Sequence, residues 1–581
     1  MEAETADLVV VGSGVYGLGA TKAYLDLNPS AKVVILDSAS TIGGVWAKER
    51  IYPGLRLNNL LGTYEFSDFP MDEEAFGVKK GEFVPGEATH RYIQAYAEEF
   101  GLYSLVRFNT RVDTVQRAED EKGWFVTCNG PRKGSSSVIF ARKLILATGM
   151  YSEPDMPGFK DADSFEAPLF HTKELAAHRE LIKTANRIAV VGASKSGYDA
   201  AYLAASSGAE VDWIIRSSGR GASWIAPPFV TPLKRWLEGL ANTRFLTWFN
   251  PCIWGDADGY GYIRRFLHGT VVGRWLVDTF WTILGNDVLG LNAYHTHPET
   301  QKLKPWSDAF WASASFSILN YPTNVFDYVS NGKIKVHVSD ISHLSPRTVH
   351  LMNGDSIETD GLVVASGWKG APSIRFLPEG IDKELGLPRE AVEPDEIAAK
   401  ADEEILNRFP RLRRRPVIDN RYKHGIREVS NPESTTPTTT TTRFRLHRCL
   451  VPPAFLHDRS IAFAGMMTNF STVINAHIQG LWLAAYLSGK LPLETPSAEY
   501  QARIERGAAL HGQFGKWRYP FGSKTQPDFI FDAVPYFDLL LGDLELPTHR
   551  KSGVLAEWFE PYGPADYKGL TTEWKRKHGI E

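Results

Sequence analysis

The feature that most constrains this 581-residue chain is a glycine-rich turn near its start, which joins an apolar strand to a helix. In DLVVVGSGVYGLGAT, Gly12, Gly14 and Gly17 follow a run of aliphatic residues, and the next strand, KVVILD, ends in Asp37. Backbone N–H groups at such a turn bind a diphosphate, and an acid at this strand end accepts hydrogen bonds from a free ribose 2′-hydroxyl. The pattern therefore predicts a site for FAD.

A second turn of this kind lies in RIAVVGASKSGYDAAY, and the strand after it, VDWIIR, ends in a base, Arg216. An arginine here pairs with a 2′-phosphate, so the second site predicts NADPH, with Arg220 as a further contact. A chain with both sites is expected to pass electrons from nicotinamide to flavin. The alternative is that both glycine sets only close structural turns. The predicted contacts within the second turn are Gly192, Ser194, Lys195, Ser196 and Gly197.

The composition is that of a soluble globular protein, with 43% hydrophobic and 23% charged residues and a net charge of −4. The length calls for two or three domains, and the charge gives no reason to expect a nucleic-acid partner. The cysteines, Cys128, Cys252 and Cys449, form no CxxC pair, so neither a metal site nor disulfide-reductase chemistry is expected. The chain opens without a secretory signal, and its few cysteines favour the cytoplasm.

Strand and helix patterns predict an α/β fold with two Rossmann-like dinucleotide-binding domains and a mostly helical, aromatic-rich insertion. More than half of the sixteen tryptophans lie between Trp213 and Trp311. This insertion either walls a pocket for a bulky apolar substrate or forms a core or an oligomer interface. Its stretch Val271–Leu291 is too polar to span a membrane and predicts a buried or interfacial helix. The threonine-rich residues 435–442 predict a solvated loop, and the final 80 or so residues predict a surface tail.

Three further motifs accompany the two turns between residues 7 and 490. They are GGVW at Gly43–Trp46, ATGMYSEP at Ala147–Pro154 and ASGW at Ala365–Trp368. With the second turn in the form GxSxSG, they resemble the class B flavoprotein monooxygenases, which comprise the flavin-containing and the Baeyer–Villiger monooxygenases. The cofactor contacts that the resemblance implies include Gly44, Trp46, Thr148, Ser366 and Gly367.

The resemblance also implies that the FAD domain is interrupted by the NADPH domain. The predicted segments are residues 1–154 and 370–490 for the FAD domain, 155–224 and 326–369 for the NADPH domain, 225–325 for the helical insertion and 491–581 for a C-terminal extension.

One family fingerprint, FxGxxxHxxx(Y/W), is present only in part, in FEAPLFHTKEL. His171 occupies the histidine position, while Ala167 replaces the glycine and Leu175 replaces the aromatic residue. In the family this motif helps join the domains and place NADPH. His171 is therefore a candidate catalytic residue, and the alternative is that it is structural.

The stretch IYPGLRLNNLLGTYEFSDFP bears on the choice between the two subclasses. Flavin-containing monooxygenases carry an asparagine, and Baeyer–Villiger enzymes an aspartate, at the position that Asn58 occupies here. Asn58 is the candidate catalytic residue, although a bulge could exchange it with Asn59, and either could cap a turn. Asn59, Tyr64 and, near the end of the resemblance, Gln479 are further candidate cofactor contacts.

By resemblance, NADPH reduces the flavin, which then reacts with O2 to form a C4a-(hydro)peroxide. The neutral amide at position 58 favours oxygen transfer to nitrogen, sulfur or an electron-rich carbon of a small, apolar molecule of specialised metabolism. The alternative is Baeyer–Villiger oxygenation of a ketone, for which the insertion would supply an arginine. An NADPH oxidase that releases H2O2 and a non-catalytic flavin-binding protein are further alternatives. We expect neither a nucleic-acid partner nor a membrane span, and the sequence leaves open whether the chain forms a homo-oligomer.

Overall fold

The protein was analysed as a computed structural model, which describes residues 3–120, 122–130, 136–231, 234–390, 394–418, 426–428 and 441–580. Most of the predicted threonine-rich loop, residues 435–440, lies outside the described residues.

The first glycine turn lies in a parallel sheet whose strands come from both ends of the chain. The strands are short and buried on both faces, as their unbroken aliphatic sequences require. The helix after the turn, Val15–Leu27, packs against the helix Thr472–Leu487. In spatial order the strands are Ile461–Phe463, Leu144–Leu146, Leu8–Val11, Val33–Leu36 and Val106–Arg107.

The second glycine turn lies in a separate parallel sheet, formed entirely between residues 169 and 364. Because the last strand of the first sheet comes only at Ile461, the second domain interrupts the first. The predicted fold class is thus confirmed. In spatial order the strands are Leu169–His171, Leu362–Val364, Arg187–Val191, Glu210–Ile215 and Ile334–Val338.

A third sheet shows where the chain returns to the first domain. Arg375–Leu377 pairs with Arg111–Arg117, close to the predicted boundary at residue 370. A small antiparallel sheet precedes the return and turns at residues 353–354. The other strands of these two sheets are Glu4–Ala6, Ser136–Ala141, Trp124–Asn129, Ile341–Ser345, Thr348–Leu351 and Ser356–Glu358. Helices of the two domains include Glu73–Phe76, Gly86–Glu99, Arg179–Thr184, Lys195–Ser206, Val325–Ser330 and Glu396–Arg408.

The insertion is mostly helical, as predicted. Its longest helix, Val271–Leu291, has the predicted bounds and buries one stripe, which includes Val277, Trp281 and Val288. Among the described residues, no helix is long and apolar enough to cross a membrane. The remaining elements of the insertion are the helices Leu237–Ala241, Arg244–Trp248, Gly261–Gly269 and Pro298–Gln301 and the short strands Ile225–Ala226, Phe229–Val230, Arg235–Trp236 and Ser317–Ile318.

The prediction of a surface tail is wrong, because the last 90 residues contribute to the main core. Trp574 is buried there, and Arg244 of the insertion is fully buried between Asp538 and Glu557 of the extension. A charge buried in this way needs its partners, and they hold the extension on the insertion. The helices of the extension are Ala498–Arg518, Ala533–Asp543, Val554–Phe559 and Leu570–Lys577.

Candidate active site between two glycine turns

The first turn has no room for side chains at two of its glycines. Gly12 has a φ of +112°, and a Cβ there would lie 2.3 Å from the carbonyl oxygen of Ala147. A Cβ on Gly17 would lie 1.9 Å from the carbonyl oxygen of Gly12. Gly14 caps the helix that follows, and its Cβ would meet only Gly44, at 3.6 Å from the Cα. Gly14 and Gly44 therefore lie side by side at a helix N-terminus, where a diphosphate fits.

Asp37 is buried against this turn. One carboxylate oxygen accepts hydrogen bonds from the Ser13 N–H at 2.7 Å and the Ser13 hydroxyl at 2.6 Å, and the other accepts from the Ala39 N–H at 2.8 Å. A carboxylate has about four lone-pair sites, so it can accept a further bond from a ribose. The ribose contact stays a prediction.

Several buried polar atoms without a partner belong to residues that follow strands of the first sheet. They include the Thr148 hydroxyl, both polar atoms of the Asn469 amide and the Asn475 carbonyl oxygen, none of which has a hydrogen-bond partner among the described residues. An unpaired buried polar group costs about 1–3 kcal/mol, so such groups point to a polar ligand. The residues present therefore fit FAD.

Three more candidate contacts have partners within the protein. The Trp46 indole N–H donates to the Tyr64 hydroxyl at 3.0 Å, which brings two predicted contacts together. Both polar atoms of Gln479 have a partner, since its carbonyl accepts from the Gly465 N–H and its amide donates to the Tyr536 hydroxyl, each at 3.0 Å. Binding of any of the three to a cofactor stays a prediction.

The second turn repeats the construction of the first. Gly192 has a φ of +97°, and a Cβ there would lie 2.5 Å from the carbonyl oxygen of Ala365. A Cβ on Gly197 would lie 2.0 Å from the carbonyl oxygen of Gly192. Ser194 caps the helix Lys195–Ser206, whose first turn also contains Ser196. Ser366 and Gly367 follow directly after Ala365, just as Thr148 follows Ala147 beside the first turn.

Two arginines without ion-pair partners stand beyond the second turn. Arg216 is exposed directly after its strand, and Arg220 is half-buried. Burial lowers the pKa of Arg220, and the charge of Arg216 lowers it further. In the part of the chain that the structure describes, neither guanidinium forms an ion pair, whereas Lys195 is paired with Asp199. Asp340 acts on Arg216 and Asp528 on Arg220 only beyond ion-pair distance, so these two neighbouring cations suit a phosphate better than the paired lysine does.

The two domains are connected by segments that cross side by side. Pro154 and Trp368 form an antiparallel bridge, the Asp155 N–H donates to the Gly367 carbonyl at 3.0 Å, and the Lys369 N–H donates to the Glu153 carbonyl at 2.9 Å. The ATGMYSEP and ASGW motifs thus form one paired hinge between the two nucleotide sites.

His171 lies at this hinge, with its ring 4.8 Å from that of Trp368. Its Nδ1 accepts a hydrogen bond from the Lys173 N–H at 3.1 Å, while its Nε2 is buried without a partner among the described residues. Burial lowers the pKa of His171 to about 4, so the ring is neutral at pH 7. A catalytic role for His171 stays a prediction, and the geometry makes it a hinge residue.

This environment predicts a pH dependence of stability. The folded-state pKa of about 4 lies below the ordinary value of 6.5, so between these pH values the unfolded chain binds more protons at His171. Stability is therefore lost as the pH falls from 6.5 to 4, by at most about 3 kcal/mol. His171→Asn, which can still accept from Lys173, should lose less over this range when urea unfolding is followed at several pH values. Equal pH slopes for both proteins would contradict the assignment.

Two basic residues at the hinge were not predicted. Arg50 donates to the Tyr151 carbonyl at 3.0 Å and lies over the Trp368 ring, and Lys173 donates to the Ser152 carbonyl at 2.6 Å. Burial lowers the pKa of both groups, and the charge of Arg50 lowers the pKa of Lys173 further. The only sequence feature that could have pointed to these two residues is the position of Arg50 shortly after the GGVW motif.

The two candidate asparagines lie on an irregular strand, Arg56–Leu60, whose pairing with Phe83–Pro85 shifts register between Arg56 and Leu60. Asn58 accepts only a long 3.4 Å contact from Asn320, while the Asn59 amide donates to the Glu238 carboxyl of the insertion. Both asparagines are half-buried. The predicted irregularity is therefore present, and which amide faces a flavin stays a prediction.

A narrow apolar cavity of about 30 Å³ lies where the insertion, the segment before the helix Thr472–Leu487 and the C-terminal extension meet. No polar side chain lines it. Its lining includes Trp224, Leu237, Trp281, Phe316, Phe470 and Phe531. Among the described residues no group of acidic, histidine or cysteine side chains could hold a metal ion.

Comparison with known proteins identifies the family. The model of the pyridine nucleotide-disulphide oxidoreductases matches residues 9–245. The FAD-dependent monooxygenase DEP4 of Alternaria brassicicola is 33% identical, over 98% of this chain and 95% of its own length. This chain belongs to the FAD-dependent monooxygenases. Membership confirms the predicted flavin and the predicted class of reaction.

Solved structures support the fold of this monooxygenase. Cyclohexanone monooxygenase from Rhodococcus sp. Phi1, bound to NADP+, superposes with a TM-score of 0.59 at 16% identity, over 94% of this chain and 98% of that one. The S-allyl-L-cysteine S-oxygenase of Allium sativum gives 0.52 at 15% identity, over 99% and 94%. At these identities the similarity concerns the fold alone. The two similar structures are an S-oxygenase and a monooxygenase that is named after a ketone.

Proposed function

We propose that this monooxygenase uses NADPH and FAD to transfer one atom of O2 to nitrogen, sulfur or an electron-rich carbon of a small, apolar organic molecule. The observation that carries the proposal is the pair of glycine turns, one followed by the buried Asp37 and the other by the unpaired Arg216 and Arg220. An acid favours a nucleotide with a free ribose, and arginines favour one with a 2′-phosphate.

The proposed reaction consumes substrate, NADPH, H+ and O2 and releases oxygenated substrate, NADP+ and water. FAD, when bound, supplies both the hydride acceptor and the activation of O2. The protein binds and orients the reactants. Gly14 and Gly44 lie where the FAD diphosphate fits, Arg216 and Arg220 would hold the 2′-phosphate, and the paired hinge segments set the spacing between the nucleotides. The apolar cavity would exclude water from the reacting atoms.

The surroundings of the candidate site favour oxygen transfer to a heteroatom over Baeyer–Villiger chemistry. The Baeyer–Villiger alternative needs an arginine, and two of the three arginines compared in the insertion are held by carboxylates. Arg264 is buried on Asp258 at 2.7 Å, Arg265 is exposed beside Asp256, and Arg274 donates to the Gly269 carbonyl at 3.0 Å. A neutral amide at position 58 or 59 adds no charge that would favour an anionic oxidant.

Product analysis with labelled oxygen tests the proposal. The FAD-loaded protein, NADPH and 18O2 would be incubated with an aryl alkyl thioether, an apolar tertiary amine or an apolar cyclic ketone as separate probes. We expect one 18O atom in a sulfoxide or an N-oxide and little lactone. Lactone as the main product would replace the proposal with the Baeyer–Villiger reaction, and NADPH consumption that yields only H2O2 with every probe would overturn it in favour of an oxidase.

A further inference from the structure

The short helix Leu237–Ala241 of the insertion carries a buried acid next to the candidate site. Glu238 is 3% exposed, and it accepts hydrogen bonds from the Asn59 amide and, at 3.4 Å, from the Thr63 hydroxyl. Both partners belong to the first domain, in the stretch where the resemblance places the flavin-facing amide. Glu238 therefore joins the insertion to that stretch through polar contacts.

The same helix meets two other parts of the site. Leu237 and Ala241 line the apolar cavity. Asn242, which ends the helix, donates to the Glu238 carbonyl at 3.0 Å and accepts from the Ser471 hydroxyl at 2.8 Å. Residues of this helix thus contact the strand Arg56–Leu60, the apolar cavity and the turn that precedes the helix Thr472–Leu487.

Glu238, like Asp528 and Asp532 of the extension, is a buried acid that accepts hydrogen bonds only from neutral donors in the described part of the chain. Asp258, Asp538 and Glu557 are instead paired with arginines of the insertion. Burial raises the pKa of the Glu238 carboxyl to about 8, so the group is neutral at pH 7. If Glu238 only held the insertion on the first domain, an apolar side chain could do so equally well, and its burial would cost less free energy.

We propose that Glu238 is a positioning residue for the oxygenation reaction: it fixes the Asn59 amide and thereby the orientation of the Asn58–Asn59 pair relative to the flavin and the apolar cavity. The inference rests on the proposed function and adds a residue from outside the glycine turns and the motifs. A correctly oriented amide keeps the activated oxygen directed at substrate, so its loss should divert NADPH consumption into H2O2.

A matched pair of substitutions separates positioning from packing. Glu238→Gln keeps the shape, the neutral charge and a carbonyl acceptor, whereas Glu238→Leu keeps the volume and removes the acceptor. Both would be tested as FAD-loaded full-length protein with the best thioether or amine probe. We expect Glu238→Leu to retain FAD and to be reduced by NADPH as the wild-type protein is. The yield of product per NADPH should fall at least about fivefold, and H2O2 should account for the remaining NADPH. Glu238→Gln should recover most of the lost coupling.

A third variant, Asn59→Ala, tests the route of the effect. If Glu238 acts through Asn59, Asn59→Ala should lose coupling to a similar degree, and the double variant with Glu238→Leu should be no worse than either single one. If Glu238→Leu is poorly folded, Asn59→Ala alone still tests the contact, and wild-type coupling in that variant would contradict the inference.

Each outcome decides the question. Wild-type coupling in both Glu238→Leu and Asn59→Ala, or additive losses in the double variant, would overturn the role of Glu238 while the proposed function stands. Wild-type protein that gives no labelled product with any probe would overturn the proposed function, and the inference falls with it.

Discussion

Replacing Gly14 with alanine is expected to weaken FAD binding while the chain still folds. The new Cβ would lie 3.6 Å from Gly44, an ordinary contact, and Gly14 has an extended φ of −77° that any residue adopts. The methyl group would nevertheless stand at the helix N-terminus, where the FAD diphosphate must approach the backbone. Loss of one charge-assisted contact costs about 1.5–3 kcal/mol, so FAD affinity should fall roughly tenfold or more.

Gly12→Ala is the matched control for this variant. At Gly12 the φ of +112° and the 2.3 Å distance to the Ala147 carbonyl oxygen forbid a side chain, so this variant should misfold as well as lose FAD. FAD content per chain, measured by absorbance after purification, and far-ultraviolet circular dichroism separate the two results. Gly14→Ala with full FAD occupancy and unchanged affinity would contradict the placement of FAD at this turn.

Replacing Arg216 with alanine is expected to weaken NADPH binding selectively. Arg216 and Arg220 lie close enough for the charge of one to lower the pKa of the other, and a 2′-phosphate would relieve that repulsion. Because Arg216 is exposed, we expect a loss of about 1–2 kcal/mol, or roughly five- to thirtyfold in the Kd for NADPH. NADH, which lacks the phosphate, should bind wild-type and variant proteins alike.

Arg187→Ala provides a control at the opposite end of the same sheet. Arg187 is also exposed, begins the strand Arg187–Val191 and pairs with Glu210 rather than with a nucleotide. The Kd values would be obtained from the dependence of the rate of anaerobic flavin reduction on NADPH or NADH concentration. Equal losses for NADPH and NADH in Arg216→Ala, or an equal effect of Arg187→Ala, would refute the 2′-phosphate contact.

Local patterns were enough to predict the fold, because each nucleotide domain is built from a strand, a turn and a helix that are continuous in sequence. The glycines follow directly from this geometry: Gly12 and Gly192 face the carbonyls of Ala147 and Ala365 at nearly the same distance. The helix Val271–Leu291 was also predictable, since it is a continuous, largely apolar stretch of 21 residues without a proline.

Contacts between distant segments had no such local signal. Glu238 on a five-residue helix gives no pattern that links it to Asn59, 179 positions earlier. The C-terminal extension was predicted as a surface tail, whereas its buried charges, such as Asp538, are paired with an arginine from the insertion. Sequence reasoning treats these charges as surface residues, and only the packed structure pairs them.

The most direct test of the central claim, that one chain passes electrons from NADPH to FAD across the paired hinge, is anaerobic mixing of the FAD-loaded protein with NADPH. Rapid mixing would follow the absorbance band of the oxidised flavin. The account predicts that NADPH bleaches this band completely, and at lower concentrations than NADH does. Flavin that stays oxidised in the presence of saturating NADPH would contradict it.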